Sequence, residues 1–221
     1  MVRPMIRTET HGQVHVVTMD AGENRFDLVF ATELVEAIGR AAADGGALVL
    51  TGRDRFFSNG LDLEWLGAAA PDEAGALMSR INAVLAAVLT FPGATVAAIN
   101  GHAFGAGAIL AAAADLRVMR SDRGYFCFPE VDLGLAMSDE FDAVLQDAYD
   151  RRTLRRALLS GARHDGAAAL AVGLVDEIAE AAEVLPKATS MVEGLAGKDG
   201  RTMAALRAPL LRRSLEVLDA G

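Results

Sequence analysis

The sequence has one cysteine, Cys127, in 221 residues, so no intrachain disulfide can form and a reducing compartment is expected. Basic residues are in deficit, with 21 Lys and Arg against 30 Asp and Glu. A nucleic-acid binder needs a basic face for the phosphates, so that class of partner is not expected. A small anionic ligand stays possible, because a few local arginines can hold it whatever the total charge. Histidine is sparse too. His11, His15, His102 and His164 show no metal-ligand spacing and no cysteine partner, so no metal site is expected. Residues 1–10 carry Arg3 and Arg7 but no apolar run of signal-peptide length. The longest apolar stretch, residues 94–114, is broken by Asn100, His102 and its glycines, which suits a strand–turn–helix better than a membrane span. A soluble, cytoplasmic protein with no membrane partner is expected.

What is present suits one folded domain. Apolar residues make up 52% of the chain, enough for one well-buried core with little left over for a second. Residues 13–19 are β-rich and lead to a turn at Asp20-Ala-Gly22. Over 27–44 the apolar positions Leu28, Phe30, Ala31, Leu34, Ala37, Ile38 and Ala41 recur at helical spacing, and Gly45-Gly46 stops the helix. Residues 47–51 and 95–99 are short, continuous apolar runs, as expected for strands buried on both faces. Residues 72–90 form a second amphipathic helix, entered by Pro71-Asp72 and ended by Phe91-Pro92. A helix follows the glycine-rich turn after Ile99 to about residue 113, and 116–120 and 125–128 look like strands. The chain beyond 139 is mainly helical, apart from a short strand or extended piece within 173–178. Strands alternating with helices imply parallel pairing and an α/β core.

Two loops carry chemistry. Arg55-Phe-Phe-Ser-Asn-Gly-Leu-Asp-Leu63 leaves a buried strand, bends at Asn59-Gly60 and enters a short helix that Asp62 can cap. Asn100-Gly-His-Ala-Phe-Gly-Ala-Gly-Ala-Ile-Leu110 places Gly105 and Gly107 around Ala106 where a strand gives way to a helix. Both present backbone N–H groups near a helix N-terminus, where nothing internal satisfies them. Two such donors aimed at one point make an oxyanion hole. Taken alone, the second loop is better read as glycines that allow close helix–strand packing. It matches neither a P-loop nor Gly-x-Gly-x-x-Gly.

In order and separation, Phe57-Ser-Asn-Gly-Leu-Asp-Leu63, Thr95-Val-Ala-Ala-Ile-Asn-Gly-His-Ala-Phe-Gly-Ala-Gly107, Ala114-Asp-Leu-Arg-Val118 and Phe128-Pro-Glu-Val-Asp-Leu-Gly134 resemble the crotonase (enoyl-CoA hydratase/isomerase) family. The resemblance runs from about residue 14 to 176. It implies an α/β spiral of ββα turns over about 1–176, with C-terminal helices over about 177–221, as one domain. It implies an acyl-CoA thioester substrate, with coenzyme A as part of that substrate and no separate cofactor. It also implies a homotrimer or a dimer of trimers.

The resemblance assigns the oxyanion N–H groups to Leu61 and Ala106 and the acid/base to Glu130. It places Arg25, Phe26, Ser58, Gly60, Asp62 and Leu63 along the coenzyme A contact. Read on their own, Ser58 is a turn hydrogen bonder and Cys127, between Phe126 and Phe128, a small buried hydrophobe. An apolar surround from Phe104, Phe126 and Phe128 would raise the pKa of Glu130. Family hydratases carry a first glutamate three residues after the glycine-loop oxyanion residue, and here that position is Ile109. Hydration must activate a water, whereas moving a double bond from C3 to C2 needs one base. Together with Arg120-Ser-Asp-Arg-Gly-Tyr125 and Ala205-Leu-Arg-Ala-Pro-Leu-Leu-Arg-Arg-Ser-Leu-Glu-Val217, this points to the Δ3,Δ2-enoyl-CoA isomerase branch. A 2-enoyl-CoA hydratase would need a second acid, for which Asp139 and Glu140 are the candidates, although both also suit a helix N-terminus. A non-catalytic acyl-CoA-binding protein is the third reading. Arg201, Arg207, Arg212 and Arg213 suit a solvated helix face, or, by the resemblance, a contact with coenzyme A phosphates on a neighbouring subunit.

Overall fold

The computed structural model describes residues 4–219, so Arg3 lies outside the described residues. β1 (Ile6–His11) and β2 (Val14–Met19) form an antiparallel hairpin that turns at Gly12, whose φ is 62°. β1 escapes sequence reading because its Arg-Thr-Glu-Thr run is polar, and at the edge of a sheet a strand needs no second buried face. Helix α1 (Leu28–Asp44) starts where the Asp27 side chain accepts from Phe30 N at 2.7 Å. It returns the chain to β3 (Ala47–Gly52), parallel to β2, and all six residues of β3 are buried.

From there the chain winds in repeated turns: β4 (Phe56–Ser58), α2 (Leu63–Ala68) and α3 (Pro71–Leu89), then β5 (Thr95–Ile99), β6 (His102–Phe104) and α4 (Ala106–Ala113). A third turn brings β7 (Leu116–Arg120), β8 (Phe126–Cys127) and α5 (Glu130–Leu133). Helices α6 (Asp139–Ala148), α7 (Arg151–Ser160) and α8 (Gly166–Ala171) lead to β9 (Glu177–Ala179), and α9 (Val184–Glu193), α10 (Gly200–Arg207) and α11 (Arg212–Leu218) follow. The large sheet runs β1-β2-β3-β5-β7-β9, parallel beyond the hairpin, and the small sheet runs β4-β6-β8, parallel throughout. This is the spiral of ββα turns. β9 carries the large sheet just past the expected boundary near 176. Of the small sheet, β8 falls within the expected strand at 125–128, whereas β4 and β6 fall inside the two segments that look like loops in sequence. Strands of two or three residues are too short for a period to show.

Burial on both faces of the large sheet explains its apolar runs. Leu48 and Leu50 join the main core with α1, α3 and α4, while Val49, Val96 and Val118 pack on the other face against Val184, Ala188 and Val192 of α9.

The C-terminal arginines are partly structural, which corrects both expectations for Arg207. Its Nη1 donates to Phe91 O at 2.6 Å, its Nη2 to Gly93 O at 2.9 Å, and its Nε to Asp115 at 3.0 Å. Asp115 in turn accepts from Thr95 N, so α10 is locked to the start of β5. Arg213 binds Asp142 and Gln146 of α6, and Arg201 and Arg212 are exposed. Arg207→Ala is expected to lower unfolding free energy by about 2 kcal/mol, because it removes the Arg207 donors from two part-buried carbonyls. The midpoint of urea denaturation measures this.

Candidate active site

The three strands of the small sheet end at one place. β4 runs into Asn59-Gly60-Leu61, β6 into Gly105-Ala106, and β8 into Phe128-Pro129-Glu130. Glycine makes the convergence possible. Gly60 has φ 79°, and a Cβ there would lie 2.7 Å from Phe104 O and 3.4 Å from Ala106 N. A Cβ on Gly107 would lie 2.5 Å from Ser58 O, so the first turn of α4 rests on β4. Gly105 N donates to Cys127 O at 3.0 Å and ties the β6 loop to β8. Gly60→Ala should cost about 1–2 kcal/mol in backbone strain alone. It should also push the β4 and β6 loops apart, so turnover should fall more steeply than the melting temperature. Parallel activity and thermal-melt measurements check this.

Two backbone donors are left over at this junction. Phe26 N donates to Gly60 O and Asp62 N to Phe26 O, a parallel bridge that turns the N–H of Leu61 to the opposite side. Ala106 is the first residue of α4, where an N–H has no partner within the helix. Among the described residues, neither N–H meets an acceptor, and both residues line one cavity of about 100 Å³. Two convergent N–H groups, one at a helix N-terminus, suit the oxygen of a carbonyl gaining negative charge.

Glu130 lines the same cavity and is the only titratable side chain among its lining residues. Its Oε2 is buried without a hydrogen-bond partner, and burial pushes its pKa above the ordinary carboxylate value against a smaller opposing backbone hydrogen bond. A Cβ on Gly105 would sit 3.5 Å from Glu130 Oε1, so the carboxylate lies directly over the loop that presents Ala106. Of the aromatics expected around Glu130, only Phe104 lines the cavity. Phe126 and Phe128 stack edge-on in the core, with ring centroids 5.5 Å apart. The apolar wall is instead Leu133, Leu135, Ala136, Met137 and Phe141. The contribution of Leu135, Ala136 and Met137 is invisible in sequence, because residues 134–138 lie between helices and show no period.

The other expected site residues divide. Gly60 and Leu63 line the cavity, and Arg25 lines a contiguous cavity of about 320 Å³ that shares Asn59, Leu61 and Phe104 with the first. Arg25 is held by Glu23 at 2.6 Å. Ser58, Phe26 and Asp62 line neither cavity, and their side chains are engaged within the protein. Ser58 is fully buried, donates its hydroxyl to Asn24 O at 2.6 Å and accepts from Gly60 N at 3.2 Å. Phe26 packs edge-on against Phe30 in the core, and Asp62 caps α2 by accepting from Trp65 N at 3.1 Å. Asn24, a support missed in sequence, is fully buried with φ 51° and donates to Met19 O, Phe56 O and Phe57 O. Together these residues hold the loop that carries Leu61.

Arg163 was also missed. It lines the outer cavity and lies over the Phe104 ring at 5.7 Å, yet nothing around it in sequence marks it. Ile109 is fully buried in the main core and does not line the cavity. Asp139 and Glu140 begin α6 behind the Ser138 cap, whose Oγ accepts from Phe141 N, and neither lines the cavity. The Cys127 thiol is pushed up to about 11 by burial and donates to Gly161 O. No helix among the described residues is long and apolar enough to cross a membrane.

Comparison with known proteins gives the family and the fold. Residues 9–219 match the family described as enoyl-CoA hydratase/isomerase. Two Arabidopsis thaliana proteins are each 35% identical to the chain. Enoyl-CoA delta isomerase 2, peroxisomal, aligns over 93% of this chain and 92% of its own, and enoyl-CoA delta isomerase 3 over 97% and 95%. A crystal structure of an enoyl-CoA hydratase from Mycobacterium ulcerans superposes with a TM-score of 0.91 at 27% identity, covering 99% of this chain and 96% of that one.

Proposed function

The chain belongs to the enoyl-CoA hydratase/isomerase (crotonase) family, and from that premise we propose that it converts a 3-enoyl-CoA to its 2-enoyl isomer. The observation that carries this reading is a single desolvated carboxylate, Glu130, in an apolar cavity with two unpaired N–H donors. Glu130 takes a proton from C2, and the electron pair spreads through the C3–C4 double bond and the thioester carbonyl as a dienolate. The oxygen rests on the N–H groups of Leu61 and Ala106. Returning the same proton at C4 leaves the double bond between C2 and C3, with no atom gained or lost. Arg25 and Arg163 at the outer cavity suit the phosphates of coenzyme A, and Leu133 and Leu135, 51% and 46% exposed, offer apolar surface to an acyl chain.

Hydration would require a second carboxylate, so that one can activate water while the other protonates carbon. The cavity offers none, and the rest of its side-chain lining is mostly alkyl and aromatic. The test is to give the purified protein a 3-enoyl-CoA and a 2-enoyl-CoA separately. Conjugated thioester should form from the first. Faster loss of the second than of the first would overturn the proposal in favour of a hydratase, and retention of both without turnover would favour a binding protein. A trimer or dimer of trimers acting in the cytoplasm belongs to the same proposal. Analytical ultracentrifugation and cell fractionation test it.

A further inference from the structure

The small sheet has two ends. Its C-terminal ends carry the active site, and its N-terminal ends frame a second concavity of about 740 Å³ that the proposed reaction does not use. Arg55 precedes β4, His102 opens β6, and Tyr125 precedes β8, so the topology brings these three side chains together, with Arg123 beside them. The charges there are not equally engaged. Of the two carboxylates in the wall, Asp122 is bound by Arg120, with Nη2–Oδ2 at 2.8 Å, and Asp165 accepts from Ala168 N at 2.8 Å as the cap of α8. Arg55 acts on Glu23 electrostatically, but the hydrogen bonds of that carboxylate come from Asn59 and Arg25. Among the described residues, the guanidinium groups of Arg55 and Arg123 have neither a hydrogen bond nor an ion pair within 4 Å.

The floor between them is aromatic. The His102 ring stacks on Phe104 at 5.4 Å and lies 5.6 Å from Tyr125, which is 40% exposed. Burial, and then the positive charges of Arg55, Arg163 and Arg123, hold His102 toward its neutral form, so the floor adds no fixed charge. In a chain with formal net charge −9, this sets two guanidinium groups without hydrogen-bond partners beside carboxylates that are already engaged by other groups. Two planar guanidinium forks can engage three oxygens of one anion, which favours phosphate over a carboxylate that a single fork would satisfy.

We propose that this concavity binds the phosphate group of a small metabolite through Arg55 and Arg123, with the exposed face of Tyr125 available to a ring on the same ligand. The site lies outside the acyl-CoA cavity and does not depend on the reaction proposed for it.

Isothermal titration of the whole protein with inorganic phosphate, and separately with adenosine monophosphate, tests this. One saturable site per chain is expected. It should weaken on the order of tenfold for each arginine removed, so Arg55→Gln with Arg123→Gln should nearly abolish it. Thermal melts confirm that the variant is folded. Tighter binding of the nucleotide than of phosphate, with the difference lost in Tyr125→Ala, would support the site and identify a ring-bearing ligand. Equal binding of the two would support it and identify free phosphate. No saturable binding, or undiminished binding in the folded double variant, would overturn the proposal.

Discussion

Turnover of a 3-enoyl-CoA by Glu130→Gln is expected to fall by about 10²–10⁴-fold, the usual contribution of a positioned acid/base. The upper end is favoured because no other titratable side chain lines the cavity to take over. The substitution is nearly isosteric, so the lining should survive, and binding of an acyl-CoA should change little. Stability gives a second readout. Burial raises the Glu130 pKa above its ordinary value, so ionising it costs more in the folded chain than in the unfolded one. That cost is absent below the ordinary carboxylate pKa and fully present above the raised folded value, so it destabilises the protein at neutral pH. Glu130→Gln should therefore be at least as stable as the wild type at neutral pH and lose this advantage in acid. The same shift sets the activity profile. The base form is lost as pH falls through the raised value, so the acid limb of kcat should lie above the range of an ordinary glutamate. Wild-type turnover in a folded Glu130→Gln would remove Glu130 from the mechanism.

Ala106→Pro is expected to lower kcat by about 10²–10³-fold, the effect of losing one oxyanion donor at ~2.7–4 kcal/mol. Proline deletes the one N–H in question and nothing else on the backbone. The position tolerates it better than most, since Ala106 is the first residue of α4, where proline's φ fits and the N–H makes no helical bond. The preceding residue is Gly105, free of the side-chain clash that proline imposes on its neighbour. The close approach of Gly60 leaves little room for the proline ring, so circular dichroism and a thermal melt must accompany the kinetics. Ala106→Ser is the control. It keeps the N–H, adds one hydroxyl and should retain most activity. The prediction fails if folded Ala106→Pro turns over like Ala106→Ser.

Particular residues show how far each level reached. The helix over 27–44 was legible because Phe30, Leu34, Ala37, Ile38 and Ala41 repeat at 3.6 residues, and the structure buries them. The runs 47–51 and 95–99 were legible as two-sided strands because both faces of the large sheet are covered. β1, β4 and β6 were not legible, since an exposed edge strand and strands of three residues leave no period to detect. In the site, Leu61, Ala106 and Glu130 came from motifs in order along the chain. Their meeting in one cavity is a property of the small sheet, which draws together residues that lie far apart in sequence.

The sequence by itself determined the family, the α/β class, Glu130 as the candidate acid/base and the glycines that let three loops touch. Local chemistry encodes these: a missing Cβ, a missing second glutamate, a strand too apolar to face water. Only the tertiary structure decided which internal partners engage Ser58, Phe26 and Asp62, and that Asn24 pins the Leu61 loop. It also decided that Leu133 to Met137 desolvate Glu130, that Ile109 belongs to the core, and that Arg207 is a clamp. Burial and hydrogen-bond partnership are set by which segments meet in space, and no single segment carries that information.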